Sequence, residues 1–241
     1  SKRTILYIIT RLKEFDKFKE YMDSAKVSTQ TAITSIGTDI NIKKLADYMT
    51  CLDQPLVGQI GNPPSQKKPM KVFKNQVQLY LPFKSEGHSD TRDIKVKVFN
   101  NGRLHITGTQ SMDMVSDVLR KVNTFLHKGG IIEEMFNEEM ANRNIEIVMI
   151  NMTIDIGFKI NQKALRDLLI HKYNIHAEFN PKIYAGINAR FEMHGIKQAS
   201  LLIFQSGKIN IAGAKGMLQL MTAKDRIKEI LDEERMMVMM I

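Results

Sequence analysis

Residues 4 to 23 place apolar groups at Ile5, Ile8, Ile9, Leu12, Phe15, Phe18 and Met22 among lysines and glutamates, a spacing that predicts an amphipathic helix. From Thr29 through Ile36 apolar and polar positions alternate, which predicts a strand, and Ile40 to Tyr48 returns to the helical period. Leu52 to Pro69 is rich in Pro, Gly and Ser and reads as a loop. Strand patterns follow at 71–81 and 94–111, separated by a polar stretch from Phe83 to Asp93. Met112, Val115, Val118, Leu119, Val122 and Leu126 then form the stripe of a long helix ended by Gly129-Gly130, and 131–144 reads as a short acidic helix. After a strand-and-helix pattern over 151–169, strands are predicted at Tyr184 to Phe191, Ser200 to Gln205 and Ile209 to Ala212, with a tight turn at Ser206-Gly207-Lys208. Met217, Leu218, Met221, Ile227, Ile230 and Leu231 mark a closing helix, with the Met-rich tail from Met236 to Ile241 as its buried end.

The same order of elements occurs twice. Gly37, Ile40, Lys43, Leu45 and Asp47 recur as Gly157, Ile160, Lys163, Leu165 and Asp167 at a fixed offset of 120. The offset falls to 111 at Phe73/Tyr184 and to 105 at Phe99/Phe204, with the excess in the polar loops 52–69 and 83–93, where insertion is tolerated. The expected organisation is an N-terminal helical extension over 1–24, a first repeat over 25–130, a linker helix over 131–144 and a second repeat over 145–241.

With 43% apolar and 25% charged residues, the composition is that of a globular protein and excludes global disorder. A net charge of +9 draws the chain toward polyanions. One cysteine, Cys51, excludes an intramolecular disulfide framework and suits a reducing compartment. Thr4 to Leu12 and the tail are too short to span a bilayer, so no membrane role is expected. The six histidines show no metal-ligand spacing with Cys51, and His171 and His176 do not share a helix face. Gly213-Ala214-Lys215-Gly216 lacks the flanking helices of a KH clamp and the Gly-Lys-Ser/Thr ending of a phosphate cradle, and reads as a strand-to-helix turn. No enzyme, metal, cofactor or small-molecule substrate is expected.

LLIFQSGKINIAGAK at Leu201 to Lys215 resembles the second-repeat signature of the TATA-box-binding protein family, and NPKIYAGINAR at Asn180 to Arg190 is similar to the segment preceding it. The resemblance covers Thr29 to Leu231 and implies an α+β saddle of two pseudo-repeats, each a curved antiparallel sheet backed by helices. It implies a transcription initiation factor that binds and bends A·T-rich promoter DNA through the minor groove. Phe73 and Phe99 would be the first pair of intercalating wedges, and Tyr184 and Phe204 the second. Lys71, Arg103, Arg190, Lys208 and Lys215 match phosphate-contacting positions, and Thr107, Asn151 and Asn210 fall among the groove-facing ones. The implied partners are double-stranded DNA, a general initiation factor of the B type and the RNA polymerase machinery. The implied location is the nucleus, or a cytoplasmic viral replication site for a virus-encoded member.

Departures from the family accompany the match. The central asparagines fall on Thr29 and Met149, with Asn151 two residues on as a substitute. The paired groove-contacting threonines become Thr107 and Ala212, groove-facing valines become Thr31, His105, Asn151 and Asn210, and Leu79 stands where the first repeat would match Arg190. These changes bear on A·T preference, because minor-groove discrimination depends on central contacts. Two other functions remain open at this point: a protein-interaction scaffold that keeps the fold without specific DNA binding, and a single-strand binder using the aromatics as stacking platforms. An uncovered sheet face carrying apolar residues would itself mark a docking surface.

Overall fold

Alternation through Ile36 makes strand β1, Lys26–Ser35, and two matched devices then turn the chain into helix α1, Ile42–Thr50. Gly37 takes a left-handed conformation, and the side chain of Asn41 accepts from the Lys44 amide to satisfy one of the helix's orphan donors. The second repeat does the same with Gly157 and with Asn161, which accepts from the Ala164 amide between β5, Glu146–Asp155, and α4, Gln162–His171. The computed structural model describes residues 25–52, 58–62, 74–84, 91–193 and 196–240; the helix expected over 4–23 lies outside them.

The first repeat continues through β2, Gln76–Lys84, β3, Thr91–Phe99, β4, Arg103–Thr109, and the long helix α2, Met112–Lys128. Its antiparallel strands lie in the order β2-β3-β4-β1. The second repeat continues through β6, His176–Glu178, β7, Ile187–Met193, β8, Ile196–Ile203, β9, Lys208–Ala214, and α5, Met217–Val238, with the strand order β6-β7-β8-β9-β5. The fold class is α+β, each sheet antiparallel and backed by helices. Thr29–Val148 and Met149–Ile241 fall in separate compact units.

One face of each sheet is the core. Val96, Val98, Leu104 and Ile106 are fully buried in the first repeat with Val115, Leu119 and Val122 of α2, each such side chain contributing about 1.5–3 kcal/mol relative to exposure. Ile154, Leu201, Ile203 and Ile211 play this part in the second, where α5 packs on β8 and β9 through Leu220, Ala223, Ile227 and Leu231. The phase of α5 differs at its start from the expected stripe. Stepping back from Ile227 by helical turns reaches Ala223 and Leu220, which leaves Met217 and Leu218 exposed, the latter at 82%. Met112 of α2 is likewise exposed. The tail is not a buried helix end: α5 stops at Val238, Met239 bridges to Ile160, and Met236, Met237 and Met240 are exposed. Near that end Glu234 is buried against the Lys172 ammonium and the Tyr173 hydroxyl, which hold its carboxyl below the usual range.

The strand boundaries around the first insertion also differ from expectation. Phe83 and Lys84 belong to β2 and Thr91 to Asp93 belong to β3, paired as Phe83↔Arg92 and Lys84↔Thr91, so both ends of 83–93 are strand. Within the predicted loop 52–69, Gly61 exchanges both backbone hydrogen bonds with Tyr80 at the edge of β2, and Asn62 donates to the carbonyls of Met49 and Leu52 at the end of α1. Gly61 thus does for β2 what His176, opposite Arg190, does for β7. Tyr184 stands in the turn before β7 rather than within a strand.

In 131–144 only α3, Glu138–Arg143, is helical, and the segment lies within the first unit. Asn123 of α2, 1% exposed, donates to the Phe136 carbonyl and to Glu138 and accepts from the Phe136 amide, while Thr34 donates to the Ala141 carbonyl.

Each repeat is closed by a glycine in its last hairpin turn. Gly102 (φ 72°) and Gly207 (φ 91°) donate to the carbonyls of Phe99 and Phe204, both at 3.0 Å. A Cβ on either would stand 2.2 Å from a backbone oxygen, that of Thr38 or of Phe158. Gly102→Ala and Gly207→Ala should therefore each lower stability by about 3 kcal/mol or more in urea unfolding, whereas Gly37→Ala, with open space around its Cβ, should cost about 1 kcal/mol of backbone strain alone. Asn123→Ala should cost roughly 3 kcal/mol by the same measurement, because it leaves the amide and carbonyl of Phe136 unpaired in the interior.

Candidate nucleic-acid interface

Strand alternation leaves the face of each sheet opposite the core uncovered by the described helices. In the first repeat this face carries Thr29, Thr31 and Ile33 of β1, Arg103, His105 and Thr107 of β4, and Lys95, Lys97 and Phe99 of β3. It is polar and cationic rather than apolar, contrary to the expectation of an apolar docking surface. Lys95 and Lys97 pair in register with Thr107 and His105. Neither lysine was among the expected contacts, although the period-two run Ile94-Lys95-Val96-Lys97-Val98 places both on the same side as Arg103.

The expected residues of this face come together. The hydroxyls of Thr31 and Thr107 are 3.3 Å apart. Phe99, half-buried at the end of β3, holds its ring centroid 4.7 Å from that of His105. Burial, and then the charges of Arg103 and Lys97, push His105 below the ordinary histidine range, so its ring is neutral at pH 7. Lys71 and Phe73 lie outside the described residues.

The corresponding face of the second repeat is built from Asn151 and Thr153 of β5, Lys208, Asn210 and Ala212 of β9, Ser200 and Leu202 of β8, and Asn188 and Arg190 of β7. Asn151 accepts from the Gly213 amide at 2.9 Å and so fastens the irregularity where β9 slips against β5. Thr153 donates to Asn210 Oδ1 at 3.1 Å. Arg190, Lys208 and Lys215 are exposed; Lys208 faces Asp155 in register, and the Lys215 amide donates to Gln219. Tyr184 and Phe204 meet edge to face with centroids 5.9 Å apart. Gly186 makes room for them, since a Cβ there would lie 3.0 Å from the Tyr184 ring and 3.2 Å from that of Phe204. Met149 and Thr29 are half-buried at the starts of their strands' outward rows.

Strand register corrects one match. Val77↔Val98 and Ile187↔Ile203 are equivalent pairs, so β2 and β7 correspond at an offset of 110 and the counterpart of Arg190 is Tyr80. Leu79 is fully buried in the core row, the counterpart of Ala189. A one-residue slip moves a side chain to the other face of a sheet, which is why the offset of 111 misassigned it. Tyr80 is itself buried, and burial together with a hydrogen bond to Asp93 pushes its hydroxyl up to about 12.

Among the described residues no three His, Cys, Asp or Glu side chains gather as a metal site, and no helix is long and apolar enough to cross a membrane.

The model of the family described as Transcription factor TFIID (or TATA-binding protein, TBP) matches residues 144–234. The TATA-box-binding protein-like protein of Acanthamoeba polyphaga mimivirus is 26% identical over 258 residues, covering 92% of this chain and 69% of that protein. The TATA-box-binding protein of Thermococcus kodakarensis is 24% identical, with coverage of 88% and 92%. Among solved structures, Methanococcus jannaschii TBP matches with a TM-score of 0.55 at 21% identity over 87% of this chain and 98% of that one, which shows a common fold. With two matched repeats, relatives whose similarity spans both and a common architecture, the chain is similar to the TATA-box-binding protein family along both repeats and shares its fold.

Proposed function

We propose that this protein is a promoter-binding initiation factor without enzymatic activity, whose uncovered sheet faces lie in the minor groove of duplex DNA and bend it. The observation that carries this reading is the aromatic at the same place in both repeats. Phe99 and Phe204 each precede the closing glycine by three residues, at the end of a sheet face that also carries cations. In the second repeat the Tyr184 ring joins Phe204 to make an exposed apolar edge, of the kind that wedges between base steps. Lys95, Lys97 and Arg103 supply phosphate neutralisation beside Phe99, and Arg190, Lys208 and Lys215 do so in the second repeat. Recruitment of a B-type initiation factor and of the polymerase machinery follows from the family resemblance and completes the reading.

Insertion of a ring offsets an unstacking cost of about a few kcal/mol by letting bent DNA cover more protein, so its removal should reduce bending as well as affinity. Phe204→Ala should lower end-to-end energy transfer on a doubly labelled duplex and weaken binding roughly tenfold, with Tyr184→Ala milder because its hydroxyl is awkward between stacked bases. A wild-type protein that binds without shortening the duplex would replace the wedge with the scaffold reading.

Charge gives a separate check. Alanine at Lys97, Arg103 or Lys208 should weaken binding on all duplexes alike and flatten the dependence of log affinity on log salt by about one unit per contact. An unchanged slope would return that residue to the ordinary surface.

A further inference from the structure

The middle of each uncovered face carries hydrogen-bond acceptors where minor-groove discrimination takes place. His105 and Asn210 occupy matched positions on β4 and β9, each the second outward residue after the closing turn. His105 lies in register with Lys97 on one side and Ile33 on the other, and its neutral ring keeps one nitrogen without a proton. Asn210 receives the Thr153 hydroxyl on Oδ1, which leaves that oxygen a second lone pair and the amide nitrogen two donors. Next to His105, the Thr31 and Thr107 hydroxyls contact each other and hold further lone pairs.

The minor-groove edge of an A·T pair offers only acceptors, whereas a G·C pair adds the guanine N2 amine as a donor. Against an apolar face that amine would be buried unpaired, at a penalty of roughly tenfold or more in affinity. We propose that His105 and Asn210 are specificity-determining residues that accept from the guanine N2 amine, so that this interface takes G·C pairs as well as A·T pairs at the steps they face. The inference rests on the minor-groove reading of the sheet faces.

Matched labelled duplexes test it by fluorescence anisotropy at fixed salt and about pH 8, where the imidazole is neutral. One has A·T pairs in the central steps; the second replaces each adenine by 2,6-diaminopurine, which adds the N2 amine and changes nothing else in the groove. A further pair compares G·C with inosine·C, which removes the amine. Wild type should bind diaminopurine as tightly as adenine or up to a few-fold more tightly, and G·C likewise against inosine·C. The His105→Val, Asn210→Val double variant, checked for folding by its thermal unfolding, should bind diaminopurine about tenfold more weakly than adenine, whatever its affinity for the adenine duplex. His105→Gln with Asn210→Gln, which retains the acceptors, should remain tolerant. A wild type that binds the diaminopurine duplex about threefold or more weakly than the adenine duplex, or that prefers inosine·C to G·C, overturns the proposal and leaves the DNA-binding reading standing. A valine variant as tolerant as wild type overturns the assignment to these two residues. Failure to bind any of the four duplexes overturns both readings together.

Discussion

Each repeat depends on a close approach of two backbones that only a glycine permits. The carbonyl oxygens of Thr38 and Phe158 occupy the space that a side chain at Gly102 or Gly207 would fill. The approach lets Ile36 and Ile40 donate to the carbonyls of Gly102 and Asn100, and lets Ile156 and Ile160 donate to those of Gly207 and Gln205, all within 2.7–3.0 Å. The hairpin turn is thereby tied to the connection between the first strand and the first helix through groups every residue possesses. What the sequence must specify is the missing side chain and a left-handed φ, and both fall on one residue. The aromatic three positions earlier inherits its place: Phe99 and Phe204 accept the turn's hydrogen bond and stand at the sheet's end because the glycine is held there.

From that shared frame the two uncovered faces diverge in chemistry. Where the first repeat has Lys95 and Lys97, the second has Ser200 and Leu202. The second carries Asp155, Glu178 and Glu192 near Lys208 and Arg190, while in the first Asp93 is engaged by the Tyr80 hydroxyl. Sequence-independent attraction to a polyanion is therefore concentrated on the first repeat. The exposed aromatic edge belongs to the second, where Tyr184 is 43% exposed beside Phe204. Phosphate contacts position a protein on DNA, and groove contacts and deformation specify where, so under the proposed function each repeat is weighted toward a different one of these tasks.

What could be read from the sequence was whatever local chemistry determines by itself. The repeated glycines at 37 and 157, the turn at Gly207 and the two long helices were legible because each rests on a residue type or period whose role needs no distant neighbour. The offset of β2 against β7 was not, because it depends on ladder register, and one residue of slack before Val77 is enough to send Leu79 into the core. The strand ends at 83–84 and 91–93 read as loop in the sequence because their polar residues satisfy an edge strand as well as a turn. Leu218 entered the helix stripe on apolarity alone, although the phase set by Ile227 and Leu231 turns it outward. Of the candidate face, Phe99, Tyr184, Phe204 and Arg103 are expected from resemblance to a family, whereas Lys95 and Lys97, not among the expected contacts, follow from the period of two.

The positions that differ most between the repeats are also those where the backbone leaves its regular ladder. Gly108 and Gly213 both have positive φ, and at each the final strand slips against its neighbour. In the second repeat the slip is fastened by the Asn151 side chain to the Gly213 amide; the residue at the matching place in the first is Thr31, whose hydroxyl reaches Thr107 instead. Asn151 is thus held to a structural task by its carbonyl oxygen, whereas the carbonyl oxygen of Asn210 accepts from the neighbouring Thr153 hydroxyl. A backbone irregularity at the matching place is stabilised by an amide in one repeat and accompanied by a hydroxyl pair in the other. The polar groups flanking it, His105 in one and Asn210 in the other, sit in different hydrogen-bonding surroundings. Two faces built on the same order of strands therefore present chemistry that is not interchangeable.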